Sequence, residues 1–454
     1  MPELAEIVKA YDIRGLVPAQ WDDAVAEALG NAFVTVTGER RVVVARDMRE
    51  SGRDLSIAFA RGAADAGADV VNAGLCSTDE MYYVSGSRDI AGAMFTASHN
   101  PAGYNGIKLC LPHARPISLD SGLAKIRDTA QAILDGEPPH AADLPGTITD
   151  NDYLADYALH LHSLVDLTTI RPLTIVIDAG NGMAGHTAPA VLGTIGTLTI
   201  IPLYFELDGT FPNHEANPLE PSNLVDLQRA VVEHGADIGL AFDGDADRCF
   251  VVDNTGAPVS PSAITALVAE AELAAHPGAS IIHNLITSRA VPDIVTENGG
   301  TPIRTRVGHS FIKAEMAAHG AVFGGEHSAH YYFKDFWNAD TGMLAAMYVL
   351  RALGGGETPL SELVESYDRY VASGEINSTV DDALGTVDAL AEHYAATPGA
   401  TIDRLDGLTV GFEDGAWLNI RASNTEPLLR LNVEAATAAE MERHRDDALA
   451  RIRA

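Results

Sequence analysis

The chain of 454 residues carries 63 Asp and Glu against 30 Lys and Arg, a formal charge of −33 at pH 7, which repels a nucleic-acid backbone and excludes nucleic acid as an expected partner. With 46% apolar and 20% charged residues and a mean hydropathy of +0.04, it reads as neither disordered nor fibrous, and no window approaches ~18 uninterrupted apolar residues, so no membrane partner is expected. At roughly 100 to 200 residues per domain, the length predicts three or four domains.

The N-terminus, Met1-Pro2-Glu3-Leu4-Ala5-Glu6, lacks the basic and apolar stretches of a signal peptide, so a cytoplasmic location is expected. The apolar run Arg41-Val42-Val43-Val44-Ala45 predicts a strand. It is followed by an alanine-rich helical stretch from Leu55 to Gly67, the run Asp69-Val70-Val71, and a strand from Ile90 to Phe95. The alternation restarts with Leu173 to Ile177, Leu198 to Leu203, a helix from Leu224 to His234 and the strand Ile238 to Phe242. A third round runs through helix Ala263 to Ala275, strand Ser280 to Ile286 and strand Pro302 to Val307. This pattern predicts α/β architecture, with mostly parallel sheets flanked by helices and chemistry in loops at strand C-termini. From about residue 370 the texture changes to three strand candidates, Leu408 to Phe412, Trp417 to Arg421 and Leu428 to Val433, then one helix, Ala438 to Ile452, which predicts a smaller α+β C-terminal domain. The expected domains are residues 1–148, 149–253, 254–368 and 369–454. Cys76, Cys110 and Cys249 have no C-x-x-C spacing and read as buried, inert thiols.

Four segments concentrate chemistry. Thr96-Ala97-Ser98-His99-Asn100-Pro101 follows an apolar strand and places Ser98 in a loop; alone it also reads as an ordinary polar turn. A nucleophile elbow is excluded, because Thr96 and Asn100 stand where glycines are needed. Asp243-Gly244-Asp245-Ala246-Asp247-Arg248 sets three carboxylates at alternate positions after a strand, a hard-oxygen set suited to a divalent cation such as Mg²⁺. It is not an EF-hand, since Arg248 and Asn254 replace the required Gly and Glu. Gly324-Gly325-Glu326-His327-Ser328-Ala329-His330 is a polar loop in apolar surroundings. Arg421-Ala422-Ser423-Asn424-Thr425-Glu426-Pro427 joins a guanidinium to hydroxyls and an amide, a set suited to phosphate. Either of the last two segments is also compatible with a plain loop.

In this order, with Tyr11-Asp12-Ile13-Arg14-Gly15 near the start and Val307-Gly308-His309-Ser310 in the third region, the segments resemble the α-D-phosphohexomutase family, in particular its bacterial phosphomannomutase/phosphoglucomutase branch. The resemblance covers essentially the whole chain. It implies three related α/β domains with mixed, mostly parallel sheets, plus a smaller α+β domain, around a central cleft. It further implies interconversion of hexose 1-phosphate and hexose 6-phosphate through phosphorylated Ser98 and a hexose 1,6-bisphosphate. Asp243, Asp245 and Asp247, with an oxygen on Ser98 or its phosphate, would hold Mg²⁺. Arg14, His99, Lys108, Arg248 and His309 match the family's positive groups, and Arg14, Lys108 or His309 would move protons. Tyr11 is expected at the substrate, Glu326 and Ser328 at the sugar's 3- and 4-hydroxyls, and Arg421, Ser423, Asn424 and Thr425 at the non-reacting phosphate.

A site that reads O3, O4 and a phosphate ignores C2, so activity on both glucose and mannose phosphates is expected. Ser423-Asn424-Thr425 differs from the Ser-Gly-Thr usual in phosphoglucosamine mutases, which ranks the amino sugar third. Glu426 sets an anion beside the phosphate grip. Rival readings are an aspartate-nucleophile phosphatase acting through Asp243 and a non-catalytic module that binds a cation or a sugar phosphate. Small hexose phosphates are the expected partners of a monomer or weak homodimer.

Overall fold

A computed structural model describes residues 3–422 and 428–453. The chain forms two compact units: residues up to Val259 together with Ser328–Ser361, and Ser260–His327 together with Glu362 to the C-terminus.

The first unit contains two mixed sheets. One has the order Ile13–Leu16, Tyr104–Leu111, Ala91–Phe95, Arg41–Arg46, Asp69–Leu75, Ile148–Asp150, with Arg115–Pro116 paired to Tyr104–Leu111. Its centre is parallel, Arg41–Arg46 lying between Ala91–Phe95 and Asp69–Leu75, and its antiparallel edge registers Arg14 with Gly106 and Met94 with Lys108. Val42, Val44, Phe59, Phe95 and Ile107 belong to one buried core with helices Asp23–Thr37 and Gly52–Asp65. The all-buried strand Ala91–Phe95 reads as a continuous apolar run because it is covered on both faces.

The second sheet has the order Pro258–Val259, Cys249–Asp253, Ile238–Phe242, Leu173–Asp178, Leu198–Leu203. Ile238–Phe242 runs parallel to Leu173–Asp178 and antiparallel to Cys249–Asp253. The turn at Asp253 closes a hairpin within this sheet, its Oδ1 accepting from Thr255 N at 2.8 Å. Tyr331–Phe333 and Ala339–Asp340 form an antiparallel pair in this unit. Cys76, Cys110 and Cys249 are all buried and unbridged, as expected.

In the second unit, Ser280–Asn284 is parallel to both Thr301–Thr305 and Phe323–Gly325. Two strands stop earlier than the apolar pattern suggests. Ser280–Asn284 ends where Thr287 folds back, its Oγ1 donating to Asn284 Oδ1 at 2.7 Å. Thr301–Thr305 ends where Val307 N turns to Asp406 Oδ2 at 3.2 Å instead of a strand neighbour. The C-terminal sheet is antiparallel about Leu428–Ala435 and Trp417–Ala422, and its core takes in Leu390, Tyr394 and Ala448 from helices Ala383–Ala395 and Ala438–Ile452. Among the described residues, no helix is long and apolar enough to cross a membrane.

Candidate active site

Ser98 follows the buried strand Ala91–Phe95, and the Asp243–Asp247 loop follows the buried strand Ile238–Phe242. Both loops therefore lie at strand C-termini, where the alternation predicts chemistry. The first unit brings them together: Ser98 Oγ donates to Asp243 Oδ2 at 2.7 Å. Ser98 is 4% exposed and the three aspartates are fully buried.

Three carboxylates in one buried loop need compensation. Two cations supply part of it. Lys108 Nζ, from strand Tyr104–Leu111, contacts Asp245 Oδ2 at 2.8 Å and also Asp247 Oδ2. Arg248 Nη2 lies 2.8 Å from Asp243 Oδ2 and also donates to Ser98 Oγ at 3.3 Å. One negative charge is left over. Burial and then the neighbouring Asp245 push Asp247 up to about 7. Burial acts in the same direction on Asp245, but Lys108 and the Thr78 hydroxyl outweigh it and hold that carboxyl well below the usual range.

The residues fit a cation. One ligand atom from each of Asp243, Asp245 and Asp247 lies within 4.8 Å of the others. The buried Oδ1 atoms of Asp245 and Asp247 have no hydrogen-bond partner among the described residues. Asp247, His330 and Asp340 meet the same spacing but share Asp247 with the first set.

Arg14, on strand Ile13–Leu16, reaches this loop by donating from Nη1 to Asn100 Oδ1 at 2.8 Å, while Nη2 pairs with Asp12. Tyr11 is half-buried just before that strand. His99 is not a further cation here. The Arg248 guanidinium against it, and then burial, hold its imidazole well below its ordinary value, so Nδ1 accepts from Arg248 Nη2. Ser328 also lies in the first unit, its Oγ 3.0 Å from His330 Nδ1, and His330 bridges Arg248 through the backbone.

The second unit holds Glu326, His309 and Arg421. Glu326 is 2% exposed and accepts from Asn284 Nδ2 at 3.1 Å. His309 opens helix His309–His319, and its side chain lies outside the described residues. Arg421 ends strand Trp417–Ala422, with Glu375 at 3.5 Å, Asp406 at 3.9 Å, and a buried Nε that has no partner among the described residues. Ser423, Asn424 and Thr425, with Glu426 beside them, lie outside the described residues.

Comparison with known proteins accounts for nearly the whole chain. The models for phosphoglucomutase/phosphomannomutase α/β/α domains I, II and III match residues 5–136, 155–256 and 260–370, and the model for the C-terminal domain of that family matches 375–451. A phosphohexose mutase of Xanthomonas campestris is 41% identical over 431 residues, 94% of each chain. A phosphomannomutase of Escherichia coli K12 is 38% identical over 433 residues, again 94% of each. The chain belongs to the phosphoglucomutase/phosphomannomutase family. It is an intramolecular phosphotransferase of hexose phosphates, and the α/β architecture expected from the alternation is that of the family. A crystal structure of a phosphoglucomutase/phosphomannomutase family protein from Burkholderia thailandensis is 34% identical, covers 99% of this chain with 97% of its own, and has a TM-score of 0.89. An N-acetylphosphoglucosamine mutase from Aspergillus fumigatus, 13% identical with a TM-score of 0.58, shares the fold.

Motif reading of this phosphoglucomutase/phosphomannomutase family member passes over Thr78. Its hydroxyl donates to Asp245 Oδ2 at 2.6 Å and its N–H to Asp245 O at 2.9 Å, tying helix Thr78–Arg88 to the aspartate loop. A lone Thr 167 residues from its partner carries no sequence signal. A Cβ at Gly244 would come 2.5 Å from Ser98 O, so only glycine lets the two loops approach this closely. Gly244→Ala is expected to cost about 1–3 kcal/mol of stability by overpacking. Its denaturant midpoint should fall together with activity.

Proposed function

We propose that the chain is a phosphomannomutase/phosphoglucomutase, interconverting hexose 1-phosphate and hexose 6-phosphate through phosphorylated Ser98 and a hexose 1,6-bisphosphate, with Mg²⁺ as cofactor. The observation that carries this reading is the 2.7 Å bond between Ser98 Oγ and Asp243 Oδ2, which joins a buried hydroxyl to a buried oxygen-ligand set. Asp243, Asp245 and Asp247 would hold Mg²⁺, which when bound neutralises charge on the transferring phosphoryl group. In the first transfer a bond forms between phosphorus and a sugar hydroxyl oxygen while the bond from Ser98 Oγ to phosphorus breaks; in the second, the bond between the sugar's other oxygen and its phosphorus breaks as Ser98 Oγ bonds that phosphorus, and the freed sugar oxygen takes up a proton. The hydroxyl proton passes to a base, for which Arg14, Lys108 and His309 are the candidates. Arg248, already at Ser98 Oγ, is placed to stabilise charge on that oxygen as it leaves.

Glu326 and Ser328 are assigned to the sugar's 3- and 4-hydroxyls, Tyr11 to the substrate, and Arg421 with Ser423, Asn424 and Thr425 to the phosphate that does not react. The Nε of Arg421, without a partner among the described residues, supports its part in this. Arg421→Lys loses the planar fork and should raise KM about 10- to 100-fold, the equivalent of one charge-assisted hydrogen bond, with a smaller change in kcat.

Incubation with mannose 1-phosphate, Mg²⁺ and a trace of mannose 1,6-bisphosphate should yield the 6-phosphate, and peptide mass analysis should place the phosphoryl group on Ser98. Finding it on Asp243 would replace the mutase with the phosphatase reading. Comparing kcat/KM for the 1-phosphates of mannose, glucose and glucosamine tests the sugar. Comparable values for the first two are expected, and a single strong preference overturns dual specificity.

A further inference from the structure

Arg49 belongs to none of the motifs, yet its side chain is 1% exposed and all five of its guanidinium N–H groups are directed at the Ser98 loop and its support. Nη2 donates to Ser98 O at 2.9 Å and Asn100 O at 2.6 Å. Nη1 donates to Pro101 O at 2.9 Å and Tyr104 O at 3.0 Å. Nε donates to Asp47 Oδ2 at 3.2 Å, and Asp47 Oδ1 accepts from Arg49 N at 2.9 Å, fixing the guanidinium from behind. Four main-chain carbonyls within seven residues thus converge on one planar cation.

The other side of Ser98 is tied to the same support. Ser98 N donates to Thr96 Oγ1 at 2.8 Å, and the Thr96 hydroxyl favours the charged form of the Asp47 carboxyl. A hold on both sides of Ser98, its N–H on Thr96 and its C=O on Arg49, is thus in place. It is needed because Ser98 has φ of 49°, a left-handed conformation that a non-glycine residue keeps only when its surroundings impose it. With N–H and C=O both held, Oγ is left to face Asp243. The loop after strand Leu198–Leu203 covers the cation. The Phe211 ring lies 5.2 Å from Arg49 Cζ, and a Cβ at Gly209 would come 2.7 Å from Arg49 Cα.

We propose that Arg49 is a positioning residue for phosphoryl transfer, holding the backbone of residues 98–104 so that the Ser98 hydroxyl is aimed at its reacting partner. The inference rests on the reading of Ser98 as the phosphoryl carrier. Lysine keeps the charge but offers three donors on a flexible stem, too few for four carbonyls and a carboxylate. Arg49→Lys is therefore expected to slow single-turnover phosphorylation of Ser98 by glucose 1,6-bisphosphate about 100-fold, the scale of an ångström's misplacement, with KM changed by less than about threefold. Methylguanidinium added to Arg49→Ala should restore part of the rate, which a purely structural role does not predict. A transfer rate in Arg49→Lys within threefold of wild type overturns the proposal, as does a loss without rescue that follows the folded fraction. Should Arg49→Lys not fold, Asp47→Asn, which sets an amide against Nε, gives the same readout: slower transfer at unchanged KM supports the role, and an unchanged rate overturns it. Ser98→Ala separates the two ideas. Turnover within tenfold of wild type in that variant removes the carrier reading itself, whereas an inactive Ser98→Ala beside a fully active Arg49→Lys removes only the role of Arg49.

Discussion

Ser98→Ala is expected to lower mutase turnover by about 10⁴-fold or more, the usual cost of deleting a nucleophile that carries the transferred group. The fold should survive. Ser98 Oγ lies within hydrogen-bond reach of Asp243, Arg248 and His99, but Asp243 keeps its contacts with Arg248 N, Nε and Nη2, and Asp245 keeps Lys108 and Thr78 without it. Thermal midpoint and circular dichroism should therefore stay near wild type while conversion of mannose 1-phosphate to the 6-phosphate disappears. Turnover within tenfold of wild type would remove Ser98 from the reaction.

Asp245→Asn is expected to lower kcat/KM by about 10³-fold and to raise the Mg²⁺ concentration for half-maximal activity by tenfold or more, because a buried charged oxygen is lost from the ligand set. The same change weakens the anchor of Lys108, whose Nζ sits 2.8 Å from Asp245 Oδ2. Chelation with EDTA should abolish wild-type activity and added Mg²⁺ should restore it. Full activity in chelated enzyme would exclude the metal role of the triad. Thr78→Val, which deletes only the hydroxyl donated to Asp245, should shift the Mg²⁺ requirement in the same direction by about tenfold, the scale of lost outer-shell partners, and Thr78→Ser should restore it.

The strands that carry both loops were legible because they are buried on both faces and so appear as unbroken apolar runs, Ala91–Phe95 and Ile238–Phe242. The two antiparallel strands of the first sheet were not. Ile13–Leu16 is four residues long with a charge at Arg14, and Tyr104–Leu111 begins with a Tyr-Asn-Gly sequence that reads as a turn. Arg14 and Lys108 lie on these strands, so only resemblance pointed to them. Helix Thr78–Arg88 hid for another reason: it is buried almost all round, including Asp79 and Glu80, and has little amphipathic pattern to detect. Arg49 sits in Arg46-Asp47-Met48-Arg49-Glu50, where mixed charge suggests a solvated turn. Its role depends on carbonyls some fifty residues away, which no local pattern encodes.

The return of Ser328–Ser361 to the first unit bears on the order in which the protein is made. That segment supplies His330 against the backbone of Arg248, the Thr341 hydroxyl that bonds Asp79 Oδ2 at 2.6 Å, and Gly342, where a Cβ would come 2.6 Å from the Arg248 carbonyl carbon. A ribosome that has released only the first 259 residues has exposed every aspartate of the triad and Ser98, but none of these supports. The first unit therefore completes its packing only after the whole of Ser260–His327 has been synthesised, and translation pausing anywhere in that interval leaves a buried-charge loop without its lid of neighbouring chain.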